Sequence, residues 1–281
     1  MAPIRPFDQS GITRASDGIA RYDGLASSIV EMLRLSVDKA PRSEAIVEVG
    51  GQRIDYRQLW DRSARVAGGL RDLGIARGDR VAIRLANGLD WCLAFFGIQL
   101  AGAIAVPVNT RFNESEVQYV LTDSGSRFVF PPDARLPDGA SLAVDDLAPQ
   151  DVSAIFYTSG TTGFPKGAMT THEGFLSNIE TCRRIAPLPF DGSLRTLVSV
   201  PLFHVTGCNS QLLPGCAGMG TTVIMPSFDV QAFLRLIAEE RINSLVSVPA
   251  IFWLAINQPN FREIDTRGVR WVMYGLSLIH I

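Results

Sequence analysis

The segment 157–169, YTSGTTGFPKGAM, places three glycines, four hydroxyl residues and one lysine close together. Glycines let main-chain N–H groups approach an anion closely, and Pro165 stiffens the turn before Lys166, whose ammonium adds a compact positive charge. The apolar run 154–157 before it predicts a strand, and 172–184 after it predicts a helix. A strand, a glycine-rich loop and a helix together predict a phosphate-binding turn. The residues predicted to hold phosphate are Thr158, Ser159, Gly160, Thr161, Thr162, Gly163 and Lys166.

Two other interpretations of this segment are weaker. Ordinary surface loops are also rich in Gly, Ser and Thr, but they usually lack the flanking strand and the terminal lysine. A Walker A loop requires the spacing G-x-x-x-x-G-K-[ST]. Here Lys166 follows Pro165 and precedes Gly167, so that spacing fails.

Strand and helix patterns alternate along the chain, which predicts parallel βαβ units. Gly50-Gly51 predicts a hairpin, Asn113 with Glu116 predicts a capped helix start, and Asp229 predicts a second helix N-cap. The apolar stretch 91–108 contains Gln99, several glycines and Pro107, so we interpret it as a helix feeding a buried strand and predict no membrane span. The predicted strands are 44–49, 52–55, 80–85, 103–106, 128–130, 154–157, 197–200, 221–225, 244–248 and 269–274, and the predicted helices are 56–73, 87–102, 172–184, 230–240 and 250–256.

The composition shifts to Pro, Asp, Ala and Gly between 131 and 150, which predicts a connector. We therefore predict an α/β protein with one subdomain over 1–150, including the connector, and a second over 151–275.

Charge and cysteine content exclude several functional classes. A net charge of −2 with no basic stripe argues against nucleic-acid binding. The four cysteines lack C-x-x-C spacing and histidine partners, so we predict structural thiols and no metal site. The charged N-terminus lacks the apolar core of a signal peptide, which predicts a cytoplasmic protein. The sequence does not indicate an oligomeric state.

The segment 157–169 resembles the phosphate loop of the adenylate-forming superfamily, the AMP-dependent synthetases and ligases. This group includes acyl-CoA synthetases, peptide-synthetase adenylation domains and luciferases. The segment 201–207, PLFHVTG, resembles the second signature of that family, and 101–109, AGAIAVPVN, an early helix-to-strand segment. The resemblance covers about 25–275. It implies two sheet-and-helix subdomains of the large N-terminal domain, truncated before the barrel and the C-terminal domain.

The resemblance also implies an activity. Such enzymes activate a carboxylate with ATP to give an acyl-adenylate and pyrophosphate, and coenzyme A then displaces AMP. It gives Lys166 and His204 catalytic roles, the first at the departing pyrophosphate and the second beside the acyl-adenylate. The ligand for Mg²⁺, the ribose-binding aspartate and a catalytic lysine are expected beyond Gly275, so we expect this chain alone to be nearly inactive. The His172 side chain is expected to pack or to cap a helix.

The resemblance also implies that the substrate is a small-molecule carboxylic acid, and the sequence leaves open which one. The PLFH signature and the segment 225–252 look more like fatty or aryl acyl-CoA synthetases than peptide-synthetase domains. Phe203, Phe252 and Trp253 are consistent with an apolar acid, although core packing explains them equally well. Two alternatives stay open: an adenylation domain that loads a carrier protein, and a non-catalytic nucleotide-binding protein.

Residues 276–281, LSLIHI, do not fit the family pattern, in which a Gly-Gly-Ala turn follows this strand. They coincide with the in-frame translation of CTGTCTCTTATACACATC, a mosaic-end adapter of transposon-based sequencing libraries. We therefore expect these six residues to be an assembly artefact, and His280 to carry no function.

Overall fold

Two large sheets flanked by helices form the protein, as the predicted α/β class requires. The computed structural model describes residues 6–158 and 165–275. The strands are β1 (Ile12–Arg14), β2 (Ala20–Tyr22), β3 (Glu44–Glu48), β4 (Arg53–Asp55), β5 (Arg80–Ile83), β6 (Ile104–Pro107), β7 (Ser126–Phe130), β8 (Val152–Thr158), β9 (Lys166–Thr171), β10 (Arg195–Val198), β11 (Thr221–Ile224), β12 (Ser244–Ser247) and β13 (Trp271–Tyr274). The helices are α1 (Ile29–Lys39), α2 (Tyr56–Asp72), α3 (Leu89–Leu100), α4 (Glu114–Ser124), α5 (His172–Ile185), α6 (Val205–Gly207), α7 (Leu213–Ala217), α8 (Val230–Glu239) and α9 (Pro249–Ile256), with a π-helical turn at Cys208–Leu212 and a 3-10 turn at Phe261–Glu263.

The predicted parallel βαβ units are confirmed in both sheets. The first sheet has the order β7-β5-β6-β8-β9, in which only the edge strand β9 is antiparallel to its neighbour. The second has the order β13-β12-β10-β11-β3-β4, with β4 as the antiparallel edge. Helices connect most of the parallel neighbours, because a parallel pair needs a crossover connection.

Local sequence signals account for several element ends. Strands β3 and β4 form the predicted hairpin, and Gly50 adopts a φ of 76° in its turn. Asn113 and Glu116 form the predicted capping box at the start of α4, and the Asp229 side chain accepts from the Ala232 N–H at the start of α8.

The connector 131–150 contains no regular secondary structure, as predicted, and its backbone bonds to neighbouring helices. The Leu142 N–H donates to the Ala64 carbonyl and the Val144 N–H donates to the Leu100 carbonyl. Each large sheet draws strands from both sides of the connector, since β8 joins β6 and β11 joins β3. The division into two subdomains stays a prediction.

Helix α3 lies at the centre of the main core, packed against α2, β5, β6 and β3. Every residue in it except Asp90 is buried. Gln99 is satisfied there by Ser153 of β8, whose hydroxyl donates to Oε1 and whose carbonyl accepts from Nε2. The apolar stretch at 91–108 is therefore a core helix and a buried strand, as predicted. Among the described residues, no helix combines the length and apolarity that a bilayer crossing needs.

Four charged side chains form a closed ring, here called the ionic ring, that joins β3 and β4 to β10 and the end of α8. Arg53 binds Glu44 at 2.7 Å and Glu240 at 2.8 Å. Arg195 binds the same two carboxylates at 2.8 and 2.5 Å. These bonds hold the pKa of both glutamates below the ordinary value, although partial burial opposes the shift.

Candidate functional site

The predicted phosphate loop connects two antiparallel strands. Strands β8 and β9 pair along their whole length, and the last pair before the loop is Thr158 with Lys166. Both residues are exposed, so they stand on the two rims of the loop. The intervening predicted ligands, Ser159, Gly160, Thr161, Thr162 and Gly163, lie outside the described residues.

The prediction that the loop runs directly into a helix is wrong. Residues 166–171 form strand β9, because their backbone groups complete the ladder of β8, and α5 begins only at His172. A six-residue strand is about 20 Å long. The N–H groups and dipole of α5 therefore lie far from Lys166, and the sequence-based reason for a phosphate at the start of this helix does not hold.

Gly167 is required for space. Its strand partner is Tyr157, and a Cβ on Gly167 would lie 3.0 Å from Tyr157 Cζ and 2.8 Å from Ile155 Cγ2. The backbone of Gly167 does not have a positive φ, so only the missing side chain distinguishes the position. Glycine at this point leaves room for the Tyr157 ring and the Ile155 side chain beside the strand pair.

The second signature, 201–207, is a tight turn that leads into α6. The His204 N–H donates to the Pro201 carbonyl at 3.2 Å, and its Nδ1 accepts from the Thr206 N–H at 3.3 Å. Gly207 packs against the same turn, since a Cβ there would lie 2.5 Å from the Pro201 oxygen. The turn therefore fixes the backbone of His204, and the bond from the Thr206 N–H orients its ring in this structure.

The role of Nδ1 as acceptor leaves Nε2 as the protonated nitrogen of the neutral imidazole. Neighbouring protein removes part of the hydration of the ring, which lowers the pKa of His204. His204 is thus a neutral hydrogen-bond donor at neutral pH, suited to a carboxylate or phosphate oxygen.

Two of the predicted site residues, Thr158 and His204, line the same cleft of about 180 Å³. This cleft, here called the hairpin cleft, lies between the first large sheet and the turn after β10. Lys166 faces Thr158 across the hairpin but does not line the cleft. The remaining lining residues are Pro107, Asn109, Phe112, Phe156, Tyr157, Phe203 and Val205.

Asn109, Phe112 and Phe156 were not among the predicted site residues. Strands β6 and β8 are parallel neighbours, so their carboxyl ends meet at one edge of the sheet, where such folds bind ligands. That rule could have indicated Asn109, which follows β6. Its Oδ1 accepts from the Arg111 N–H at 2.9 Å, which leaves Nδ2 as the donor of the amide.

His172 packs and caps, as predicted. It is buried, and its Nδ1 accepts from the Ile29 N–H at the start of α1 at 3.3 Å. Burial lowers its pKa to about 4. The four cysteines are unpaired, and burial raises the pKa of each thiol, to about 12 for Cys216.

Within residues 6–158 and 165–275, no three His, Cys, Asp or Glu side chains are grouped so that they would hold a metal ion. We therefore assign no metal ligand among the residues of these two ranges.

Comparison with known proteins places the chain in a family. The family model of AMP-binding enzymes matches residues 33–278. The long-chain-fatty-acid–CoA ligase FadD13 of Mycobacterium tuberculosis is 34% identical over 275 residues, covering 87% of this chain and 54% of the relative. The feruloyl-CoA synthase of an Amycolatopsis species is 34% identical, covering 91% and 55%. The chain thus spans about half the length of the curated relatives it matches.

A solved structure gives the same result at the level of the fold. The inhibitor-bound N-terminal domain of FACL13 from Mycobacterium tuberculosis superposes with a TM-score of 0.81 at 32% identity, covering 88% of this chain and 69% of that one. The fold is that of the N-terminal domain of adenylate-forming enzymes, as the sequence predicted. The chain belongs to the family of AMP-binding enzymes, and corresponds to the N-terminal portion of its acyl-CoA ligases.

Proposed function

We propose that the chain is part of an ATP-dependent acyl-CoA synthetase, which joins a carboxylic acid to coenzyme A through an acyl-adenylate. The observation that carries this proposal is the hairpin cleft, where a rim of the predicted phosphate loop, Thr158, and the histidine of the second signature, His204, are neighbours. Both stand beside apolar side chains, which suits an acid with an apolar body and a charged head.

The residues have separate tasks in the first half-reaction. The carboxylate attacks the α-phosphorus of ATP, the bond to the β-phosphate breaks, and pyrophosphate leaves. The hydroxyls and N–H groups of 158–163, together with Lys166, hold the polyphosphate and offset the charge that develops on the leaving group. The His204 Nε2–H donates to an oxygen of the carboxylate or the new adenylate.

In the second half-reaction the thiol of coenzyme A attacks the acyl carbon and AMP leaves with the electron pair of the broken bond. His204 stands at the start of the short helix α6, where rotation of its side chain opens or closes a path to the cleft. We assign no step to a metal ion in this chain.

We propose a fatty or aryl acid as substrate. The names of the two relatives, a long-chain-fatty-acid–CoA ligase and a feruloyl-CoA synthase, support this class over amino acids. Phe112, Phe156 and Phe203 supply an apolar lining.

We also propose a cytoplasmic location. The proposed use of ATP and coenzyme A supports it, as do the four unpaired cysteines.

The chain spans about half the length of these relatives, so the complete reaction is proposed for the full gene product. We propose little activity for the 281 residues alone.

Sequencing the source gene across codons 270–282 tests the adapter hypothesis for 276–281. The full reading frame is then assayed for acid-dependent exchange of labelled pyrophosphate into ATP and for thioester formation, with octanoate, palmitate, ferulate and leucine as acids. Exchange with a fatty or aryl acid and transfer to coenzyme A supports the proposal. Exchange with leucine, or transfer only to a carrier protein, contradicts it.

A further inference from the structure

The two halves of the hairpin cleft belong to different sheets. Thr158 ends β8 of the first large sheet, whereas His204 follows β10 of the second. The distance between these two residues therefore depends on what holds the sheets together at this point. Asn87 provides such a connection, in the loop between β5 and α3.

The Asn87 side chain binds the backbone on both sides of Pro201. Its Oδ1 accepts from the Leu202 N–H at 2.8 Å, and its Nδ2 donates to the Val200 carbonyl at 2.9 Å and contacts the Met225 carbonyl at 3.4 Å. Pro201 has no N–H to donate, and the Asn87 side-chain amide bonds the backbone groups of the residues before and after it. We call this arrangement the Asn87 clamp.

The clamp acts on His204 through a short chain of contacts. Leu202 is fully buried, so the residue that the clamp holds cannot shift without moving the core. Pro201, between the two clamped residues, accepts the His204 N–H. Gly207 lies close to the same Pro201 carbonyl, since a Cβ on Gly207 would be 2.5 Å from its oxygen, and position 207 therefore admits no side chain.

We propose that Asn87 is a positioning residue for His204: its amide fixes the Pro201 turn of the second sheet to the first sheet and so sets where the imidazole stands in the hairpin cleft. The predicted helix 87–102 would have made Asn87 a helix residue. It lies outside α3, which begins at Leu89, and its side chain is free to serve the neighbouring turn. The catalytic consequence rests on the proposed function, whereas the geometric part does not.

The chain contains a matched control for this proposal at the other end of β10. The Asn243 Oδ1 accepts from the Arg195 N–H at 2.8 Å, and its Nδ2 donates to the Ser193 carbonyl at 2.6 Å. Asn243 thus makes the same pair of bonds around one intervening residue, but where β10 begins, away from the hairpin cleft. A purely structural role for Asn87 predicts that equivalent substitutions at the two positions behave alike.

The first experiment follows the His204 imidazole by NMR in the 281-residue chain with labelled histidine. The chain has three histidines, so the signal lost in His204→Gln assigns His204 and the signal lost in His172→Asn assigns His172, the internal reference. Asn87→Asp keeps an oxygen that accepts from the Leu202 N–H. It replaces the donating Nδ2 by a carboxylate oxygen, which faces the Val200 and Met225 carbonyl oxygens and cannot donate to them. We expect this variant to move the His204 signals and its titration and to leave His172 unchanged. Asn243→Asp should leave both unchanged.

Asn87→Ser and Asn243→Ser repeat the comparison without adding a charge, in case Asn87→Asp does not fold. The proposal is overturned if the His204 signals stay in place in a folded Asn87 variant, or if the Asn243 variants move them equally. This readout does not need ligase activity, so it decides the geometric role even if the proposed function fails.

The second experiment measures coupling in the full gene product. We expect Asn87→Asp to slow thioester formation on the order of 10-fold to 100-fold, the scale of a small misplacement of a reacting group, while KM for ATP changes less than about twofold. His204→Ala should hide this effect, so that the double variant is no slower than His204→Ala alone. Additive losses in the double variant would show that Asn87 does not act through His204.

Discussion

The phenol of Tyr157 donates a 2.6 Å hydrogen bond to Oδ2 of Asp123, near the end of α4. The Tyr157 ring also covers Gly167 on the facing strand. Partial burial and the nearby carboxylate both raise the pKa of Tyr157, so the phenol stays protonated and remains a donor. One side chain therefore connects β8 to α4 and packs on β9, next to Thr158 and Lys166, the two residues that flank the predicted phosphate loop.

Gly167→Ala should disturb this packing between β8 and β9. The added methyl would meet Tyr157 and Ile155 at distances that real Cβ atoms avoid, so we expect a loss of about 1–3 kcal/mol in the free energy of unfolding. Urea denaturation measures it. Gly268→Ala is the control, because the nearest atom to its Cβ is 3.7 Å away. Equal stability of the two variants would show that the Tyr157 ring yields freely.

Lys166→Ala should separate the two half-reactions in the full gene product. Lys166 stands opposite Thr158 on the rim of the loop, outside the hairpin cleft, so we expect it to act on polyphosphate and not on the acyl group. Pyrophosphate exchange should fall on the order of 10²-fold. Binding of a non-hydrolysable acyl-adenylate analogue, measured by calorimetry, should change little. A parallel loss of both would undercut the role assigned to the lysine.

His172 should make the stability of the chain depend on pH between 6.5 and 4. The pKa of His172 is about 4 in the folded chain, below the ordinary 6.5, so the unfolded chain binds a proton more readily. The contribution of neutral His172 to the free energy of unfolding is therefore fully present above pH 6.5 and is lost as the pH falls toward 4. Between pH 7 and pH 5 this residue alone accounts for a loss of about 2 kcal/mol.

His172→Asn tests this dependence, because the amide keeps an acceptor for the Ile29 N–H and has no proton to gain. The variant should be less stable than the wild type at pH 7 and should show a flatter slope from pH 7 to pH 5 in urea titrations. A slope equal to that of the wild type would mean that His172 does not cause the acid sensitivity.

Arg195→Ala should open the ionic ring. Arg195 is only about one-fifth exposed, and its loss leaves Glu240 with one partner instead of two. We expect a loss of about 1–3 kcal/mol in the free energy of unfolding, the range for hydrogen bonds to charged groups. Arg267→Ala breaks a pair with Asp265 in which the arginine side chain is 90% exposed, and it should change stability far less than Arg195→Ala. Similar values for the two variants would show that closure of the ring contributes nothing.

Local signals made much of the fold predictable. A Gly-Gly pair between two apolar runs predicts a hairpin turn, and β3 and β4 form that hairpin. The Asn113 capping box is equally local, because it joins residues only three positions apart. Strand β9 was missed, because its residues, KGAMTT, have no strand pattern and become a strand through their pairing with β8.

The candidate site was predictable to a lesser degree. Thr158 and His204 were found from their motifs, and they do line one cleft. The clamp of Asn87 could not be found in this way, because it joins a side chain to backbone groups more than a hundred positions later. Backbone partners leave no trace in residue type, so sequence reasoning alone gives no reason to single out that asparagine.

The placement of β3 and β4 beside β11 constrains how the chain is made and how it can be divided. The Thr221 hydroxyl bonds to the Glu44 carbonyl across 177 positions. During synthesis, the β3–β4 hairpin has no partner for the free edge of β3 until β11 has left the ribosome. Cutting the chain within 131–150 therefore separates β3 from its partner in the sheet. The two pieces should recover a native spectrum only when mixed, as a complementing pair, and neither should fold on its own.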